Sequence, residues 1–291
     1  AAEPAARAAF AEAAAALGFP LSTPCFEGPE DRLTSTQNAQ PALLAHGAAA
    51  WAAIRDAARP FVRAAAGHSL GEFTAYHAAG ALSLGDALAV VRTRGELMFE
   101  SGTRRPGAMA AILGLTEERV ERVCAEARAD GAICVPANYN TPEQLVISGQ
   151  VDAVERAMAL AKEAGAKRAI RLNVSGAFHS PLMAVAAPGL ERALASVAMR
   201  APAFPIYSNV STEPVRDPDT ATRLLVEQLT SPVRWTALVR RLAADHPGAA
   251  FVELGPGTVL SNLVRRIVPG AETIACGTAA DVAALRQRLT T

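Results

Sequence analysis

Phe61-Val62-Arg63-Ala64-Ala65-Ala66-Gly67-His68-Ser69-Leu70-Gly71-Glu72-Phe73-Thr74-Ala75-Tyr76-His77-Ala78-Ala79 is the stretch on which the fold turns. Phe61 to Ala66 reads as a short apolar strand that ends at Gly67, and about Gly71 to Ala79 reads as a helix. Between them, Gly67-His68-Ser69-Leu70-Gly71 fits Gly-x-Ser-x-Gly on a strand–turn–helix. A serine there is held exposed above the sheet, and the helix N-terminus favours negative charge developing beside it. Ser69 is therefore the candidate nucleophile, with the Leu70 N–H as a natural oxyanion donor. The bare pattern also arises by chance in a chain rich in Gly and Ala; its context is what carries it.

Working outward, alanine-rich helices are expected over Pro4 to Leu17 and from about Pro41 to Ala58, where Pro60 stops the second. Ser83 caps a further helix, with Asp86 as its capping-box partner. From residue 107 the order is strand (Ala108–Leu113), helix (Thr116–Ala127), strand (Ala132–Ala137), strand (Gln144–Ser148), helix (Val151–Ala164), strand (Lys167–Val174). A turn around Asn140, Thr141 and Pro142 joins the middle two strands. This β-α-β-β-α-β order is that of a ferredoxin-like unit, inserted over roughly residues 105–175. After it come a helix over Leu182–Val197, a strand over Pro205–Val210 and helices over Ala221–Gln228 and Trp235–Ala244. The chain ends with a strand over Ala250–Leu254, a helix over Thr258–Val268, a strand over Glu272–Cys276 and a C-terminal helix. Strands alternating with helices predict an α/β larger domain, residues 1–104 and 176–291, with a parallel sheet covered on both faces.

Bulk properties set the surroundings. The chain has 291 residues, half of them apolar, and Lys+Arg and Asp+Glu balance at 28 each. That balance removes the electrostatic argument for nucleic acid or an anionic membrane as partner. Cys25, Cys124, Cys134 and Cys276 form no close pair in sequence, so neither a zinc site nor a disulfide framework is expected. With no bilayer-length apolar run and no secretory pattern, the expectation is a soluble cytoplasmic protein without metal.

A serine nucleophile needs a base. His46 and His77 fall within helices, His246 in a polar turn, and His68 adjoins Ser69 on a tight turn where neighbours point apart. His179, in Ser175-Gly176-Ala177-Phe178-His179-Ser180-Pro181, sits on a loop leaving a strand and is favoured. Its orienting acceptor is not chosen by this reasoning. Arg94 follows Val90 and Val91 and precedes Leu97 and Met98 at helical spacing, so its guanidinium leaves the helix on the apolar face while Arg92 points away. A buried arginine needs an anion: a substrate carboxylate, or equally an internal Asp or Glu, unless its stem snorkels to the surface.

These residues resemble the malonyl-CoA:acyl carrier protein transacylase family of fatty-acid synthesis. The likeness rests on Gly67 to Glu72, Arg94-Gly95 with Met98, Gly107 to Ile112, Asn138-Tyr139-Asn140, Gly176 to Ser180, Tyr207-Ser208-Asn209, Gln228-Leu229 before Pro232-Val233, and Gly255-Pro256-Gly257. The acyltransferase domains of polyketide synthases and the malonate-decarboxylase acyltransferase are similar. The resemblance implies an α/β-hydrolase-like large domain carrying the ferredoxin-like insert, Ser69 as nucleophile, His179 as base and the main-chain carbonyl of Gln228 as third member. It implies Arg94 as the grip on the malonyl carboxylate, malonyl-CoA and acyl carrier protein as partners, and no cofactor, coenzyme A being part of a substrate. Phe178 resembles malonyl-using members; methylmalonyl-using relatives have a smaller residue there. Family members open with a strand and a Phe-Pro-Gly-Gln-Gly turn whose glutamine gives a second oxyanion N–H. The sequence as given starts with Ala1 in the helix after that turn, so the expectation is a sheet one strand short and an oxyanion hole one donor short.

Carrier proteins of this kind are expected to be acidic, and Lys167, Arg168, Arg171, Arg265 and Arg266 are candidates for a guiding rim, or are ordinary solvated charges. Asn138 and Asn140 either line the cleft or shape a turn. Two rival readings are a serine thioesterase or hydrolase, which gains nothing from a buried cation, and a non-catalytic carrier-binding module.

Overall fold

The computed structural model describes residues 3–28, 33, 36–128 and 131–290. A bundle of helices packs the larger part of the chain. Pro4–Leu17 opens with Pro4 in its first turn and closes on left-handed Gly18. Thr36–Ala58 starts earlier than the expected Pro41 and carries that proline inside. Pro41 has no N–H for the Gln37 carbonyl, and the guanidinium of Arg92 donates to that carbonyl instead, at 3.2 Å. In Leu84–Arg104 Ser83 is the N-cap as expected: the Asp86 N–H donates to Ser83 Oγ (3.0 Å), and the Asp86 carboxylate accepts from the Ser83 hydroxyl (2.7 Å). These helices and Gly71–Ala78 share one apolar core containing Leu44, Ile54, Phe73, Leu88 and Val91.

The strands of this part are short. In place of a strand from Phe61 there is a 3₁₀ turn, Arg59–Phe61, and then β1, Ala65–Ala66. Pro60 fixes the turn, and β1 is as long as its partner β6, Ile206–Tyr207, which it pairs in parallel. β7, Pro214–Val215, runs antiparallel to β6. The six residues between them, 208–213, are too few for a crossover, so the sheet is mixed and not the uniformly parallel sheet expected. β8, Phe251–Leu254, and β9, Thr273–Cys276, pair in parallel as a separate sheet. The expected helix over Leu182–Val197 is a 3₁₀ turn, Pro181–Ala186, followed by an α-helix, Ala187–Ala195. Pro188 lies in the first turn of that helix, where its missing N–H costs least.

The second sheet holds β2 (Gly107–Leu113), β3 (Cys134–Thr141), β4 (Gln144–Gln150) and β5 (Arg168–Arg171) in the order β3-β4-β2-β5, antiparallel throughout. Helices Glu117–Glu126 and Val151–Glu163 lie between the strands in sequence and close a core of their own, with Ile112, Val120, Leu145, Ile147 and Val154 fully buried. β3 extends past the expected turn to Thr141, so only Pro142 and Glu143 connect it to β4, and two register shifts kink it around Asn138 and Asn140. Cys124 and Cys134, ten residues apart in sequence, are both buried in this core; the neighbouring Cys134 thiol and burial raise the Cys124 thiol above its usual range.

Candidate active site

β1 delivers the chain to Gly67, and the following helix departs from Leu70, so the turn must bring strand and helix backbones together. A Cβ at Gly67 would lie 1.8 Å from the carbonyl carbon of Gly71, which only glycine avoids. Ser69 takes up the curvature with φ of 51°, left-handed backbone that is uncommon for a non-glycine residue and costs about 1–3 kcal/mol. Asn209, on the loop after β6, clamps the turn from both sides. Its Nδ2 donates to the Gly67 carbonyl and its Oδ1 accepts from the Ser69 N–H, each at 2.7 Å.

His179 stands opposite, also at positive φ (55°) and buried. Its Nε2 is 2.8 Å from Ser69 Oγ, and its Nδ1 is 2.9 Å from the main-chain carbonyl of Gln228. A carbonyl can only accept, so Nδ1 carries the proton and Nε2 is left to accept from the serine hydroxyl. Burial, and then the nearby Arg94 cation, push the imidazole down to about 3, which keeps it neutral at physiological pH.

Arg94 is 1% exposed and does not snorkel. One terminal nitrogen donates to Gln40 Oε1; the other donates to Ser69 Oγ and to Gln228 Oε1, both at 3.0 Å. Its guanidinium also lies 5.6 Å from the Phe73 ring centroid. Burial lowers it to about 10, offset in part by Glu72, so it stays charged at neutral pH. Arg92 points away as expected, pairing with Glu96 at 2.6 Å. Ser69 Oγ thus sits between an imidazole acceptor and a buried cation.

Leu70 takes up helical backbone at the head of Gly71–Ala78. Asn140 reaches the site from β3, its Oδ1 2.8 Å from His68 Nε2, and His68 packs against Trp235. Asn138 is buried on the same strand, where its backbone bridges to Val233. Of the basic rim candidates, Lys167 pairs with Glu143 and Arg171 with Glu155, while Arg265 bonds Thr273 and Asn262. Arg266 donates to Gln144 at 3.4 Å, and Arg168 is exposed. Two surface cavities of about 700 and 800 Å³ include none of Ser69, Arg94 and His179 among their lining residues. Among the described residues no group of three or more His, Cys, Asp or Glu could hold a metal ion, and no helix is long and apolar enough to cross a membrane.

Sequence reasoning gave Glu72, Asn209 and Gln40 no role. Glu72 is wholly buried, and its Oε2 accepts from Gln228 Nε2 (2.7 Å) and the Asn209 N–H (3.2 Å). The signal for it was available: Glu72 begins the same inward helix face as Phe73 and Tyr76, the spacing argument applied to Arg94.

Fold and site define an α/β chain with a serine–histidine pair at a strand–helix turn and a buried arginine against the serine. Residues 1–285 match the acyl transferase domain family. The malonyl CoA-acyl carrier protein transacylase of Bacillus subtilis (strain 168) is 44% identical over 273 residues, 94% of this chain and 85% of that protein. The acyl-carrier-protein S-malonyltransferase of Bartonella henselae superposes with a TM-score of 0.93 at 41% identity, covering 99% of this chain and 92% of that one. A malonyl-transacylase solved in complex with a type II PKS acyl-carrier protein gives 0.93 at 38% identity over 99% of this chain and 92% of its own. The chain belongs to the acyl transferase domain family and, within it, to the malonyl CoA-acyl carrier protein transacylases.

Proposed function

We propose that the protein moves a malonyl group from malonyl-CoA to the phosphopantetheine thiol of acyl carrier protein through an ester on Ser69. The observation that carries this reading is the placement of Ser69 Oγ between His179 Nε2 and the Arg94 guanidinium. His179 takes the hydroxyl proton as Ser69 attacks the thioester carbonyl, with the Leu70 N–H as a donor to the oxyanion. The tetrahedral intermediate collapses, coenzyme A departs as the thiol, and the malonyl ester rests with its free carboxylate on Arg94. The carrier thiol then attacks the ester, with His179 again accepting the proton, and Ser69 is regenerated. Arg94 contributes twice. It binds the carboxylate, and its neutralisation by that carboxylate removes the cation that, after burial, lowers His179 basicity.

Gln228 serves through its main-chain carbonyl, which fixes the histidine tautomer in place of an acid. Coenzyme A enters as part of the substrate, not as a resident cofactor. The finer architecture in this reading is an α/β-hydrolase-like domain, residues 1–104 and 176–291, with a ferredoxin-like insert over 105–175. The β-α-β-β-α-β order and the separate apolar core support that division. A cytoplasmic setting is in keeping with the buried free thiols of Cys124, Cys134 and Cys276. A thioesterase reading is not favoured, since a hydrolase of neutral acyl groups has no use for a cation at the serine.

The test is intact mass after mixing with malonyl-CoA, followed by addition of holo acyl carrier protein. A malonyl adduct that requires Ser69 and passes to the carrier is expected. A folded protein that forms no adduct, or that releases free malonate as fast without carrier, sinks the reading.

A further inference from the structure

Gln228 has two jobs in the site, and only its carbonyl is explained by the serine–histidine pair. Its side-chain amide lies between Arg94 and Glu72, accepting from Arg94 through Oε1 at 3.0 Å and donating to Glu72 Oε2 through Nε2 at 2.7 Å. Nε2 also reaches the Ser69 carbonyl at 3.1 Å. The assignment of the two amide ends follows from their partners: a guanidinium can only donate, while a carboxylate and a carbonyl accept. The Arg94 nitrogen held by Gln228 Oε1 is the one that reaches Ser69 Oγ. A chain therefore runs from Glu72 through the amide to the guanidinium nitrogen that faces the acyl-bearing oxygen. Glu72 is wholly buried, and its second oxygen, Oε1, has no hydrogen-bond partner. Burying a carboxylate in this way is costly.

We propose that Glu72 is a positioning residue that sets the preference for acyl groups with a free carboxylate, by locking the Gln228 amide with its oxygen toward Arg94. The inference rests on Ser69 as acyl carrier and Arg94 as carboxylate grip. Without the carboxylate, Nε2 keeps only the Ser69 carbonyl at 3.1 Å as acceptor, the amide is held less firmly, and its grip on the Arg94 nitrogen beside Ser69 loosens. A neutral acyl group has no carboxylate to place on that nitrogen and so loses less than malonyl does. A purely structural Glu72, acting only through the Asn209 N–H, would slow acylation by every acyl group alike.

The experiment is rapid-quench intact mass of the whole protein with malonyl-CoA and, separately, acetyl-CoA, for wild type, Glu72→Gln and Glu72→Asp, run above the value of about 7 to which burial raises the Glu72 carboxyl, so that it is ionised. In Glu72→Gln the ratio of malonyl to acetyl labelling rates should fall about tenfold, the usual scale of a lost hydrogen bond to a charged group. Glu72→Asp withdraws the charge by one methylene and should lower the same ratio by less, and it carries the test alone should Glu72→Gln not fold. An unchanged ratio in a folded variant, or equal loss of both rates, overturns the proposal while leaving the transferase reading intact. A wild type that shows no preference for malonyl overturns this proposal together with the Arg94 grip, whereas absence of any malonyl adduct sinks the transferase reading itself.

Discussion

Beneath the four-stranded sheet, the buried set is Ile112, Val120, Leu145, Ile147 and Val154; around the turn at Ser69 it is Glu72, Arg94, Asn209 and Gln228. The first group packs by shape and area and has no preferred partner. The second group is held by directional bonds: Asn209 across the turn, Gln228 between a cation and a carboxylate, His179 between Oγ and a carbonyl. An apolar core tolerates loss by weakening gradually, whereas a buried polar network loses the full desolvation cost of each partner left behind. The two regions should therefore respond to substitution in different currencies, one in stability and the other in reactivity.

The contrast is broken hardest at Gly67. Gly67→Ala forces a Cβ into the backbone of Gly71 and Glu72, so malonyl labelling of Ser69 should drop below detection together with a lowered melting temperature. Labelling near the wild-type rate would show that the turn is looser than its geometry.

Asn209→Ala comes next. It removes both clamps at once and should slow labelling about a hundredfold, each buried partner being worth roughly 1–3 kcal/mol. The readout is the single-turnover rate on folded protein. By contrast, Ile112→Ala in the other core should cost about 2–5 kcal/mol in urea unfolding while leaving the labelling rate of folded molecules within about twofold of wild type.

The smallest effect concerns pH. His179 is held down to about 3 from its ordinary 6.5, so between those values the unfolded chain binds the extra proton and stability rises with pH. Glu72 is raised to about 7 from 4.5, chiefly by burial, so over that range the folded chain binds the extra proton and stability falls with pH. The two slopes oppose each other between 4.5 and 6.5. Glu72→Gln should unmask the histidine slope, its urea midpoint climbing more steeply than wild type from pH 5 to pH 6.5. Parallel curves would contradict the assignment.

Legibility in the sequence followed the same divide. The second sheet was readable because alternation, helical stripes and short connections are local; the length of β3 escaped, hidden by its two register shifts, and the last strand, expected over Lys167–Val174, spans only Arg168–Arg171. In the larger part, Gly67 to Gly71 and the inward face at Arg94 could be placed from spacing. The mixed sheet was missed because two-residue strands such as β1 and β6 leave almost no periodic trace. The nearness of Cys124 to Cys134 was missed because it depends on how the Glu117–Glu126 helix lies on β3. The partner of His179 could not be derived from residue types, since a main-chain carbonyl carries no sequence signal; only the family resemblance supplied Gln228.

The central claim is that Arg94 is buried against Ser69 to hold the carboxylate of the acyl group. It is tested most directly by the rates of malonyl and acetyl labelling of wild type and Arg94→Ala, read by rapid-quench mass. The account predicts that malonyl labelling falls at least a hundredfold in the variant while acetyl labelling is unchanged or rises, as an ion-paired grip on a desolvated carboxylate is worth about 3 kcal/mol or more. Equal losses for both acyl groups would mean that Arg94 only supports the serine, and the carboxylate grip would be wrong.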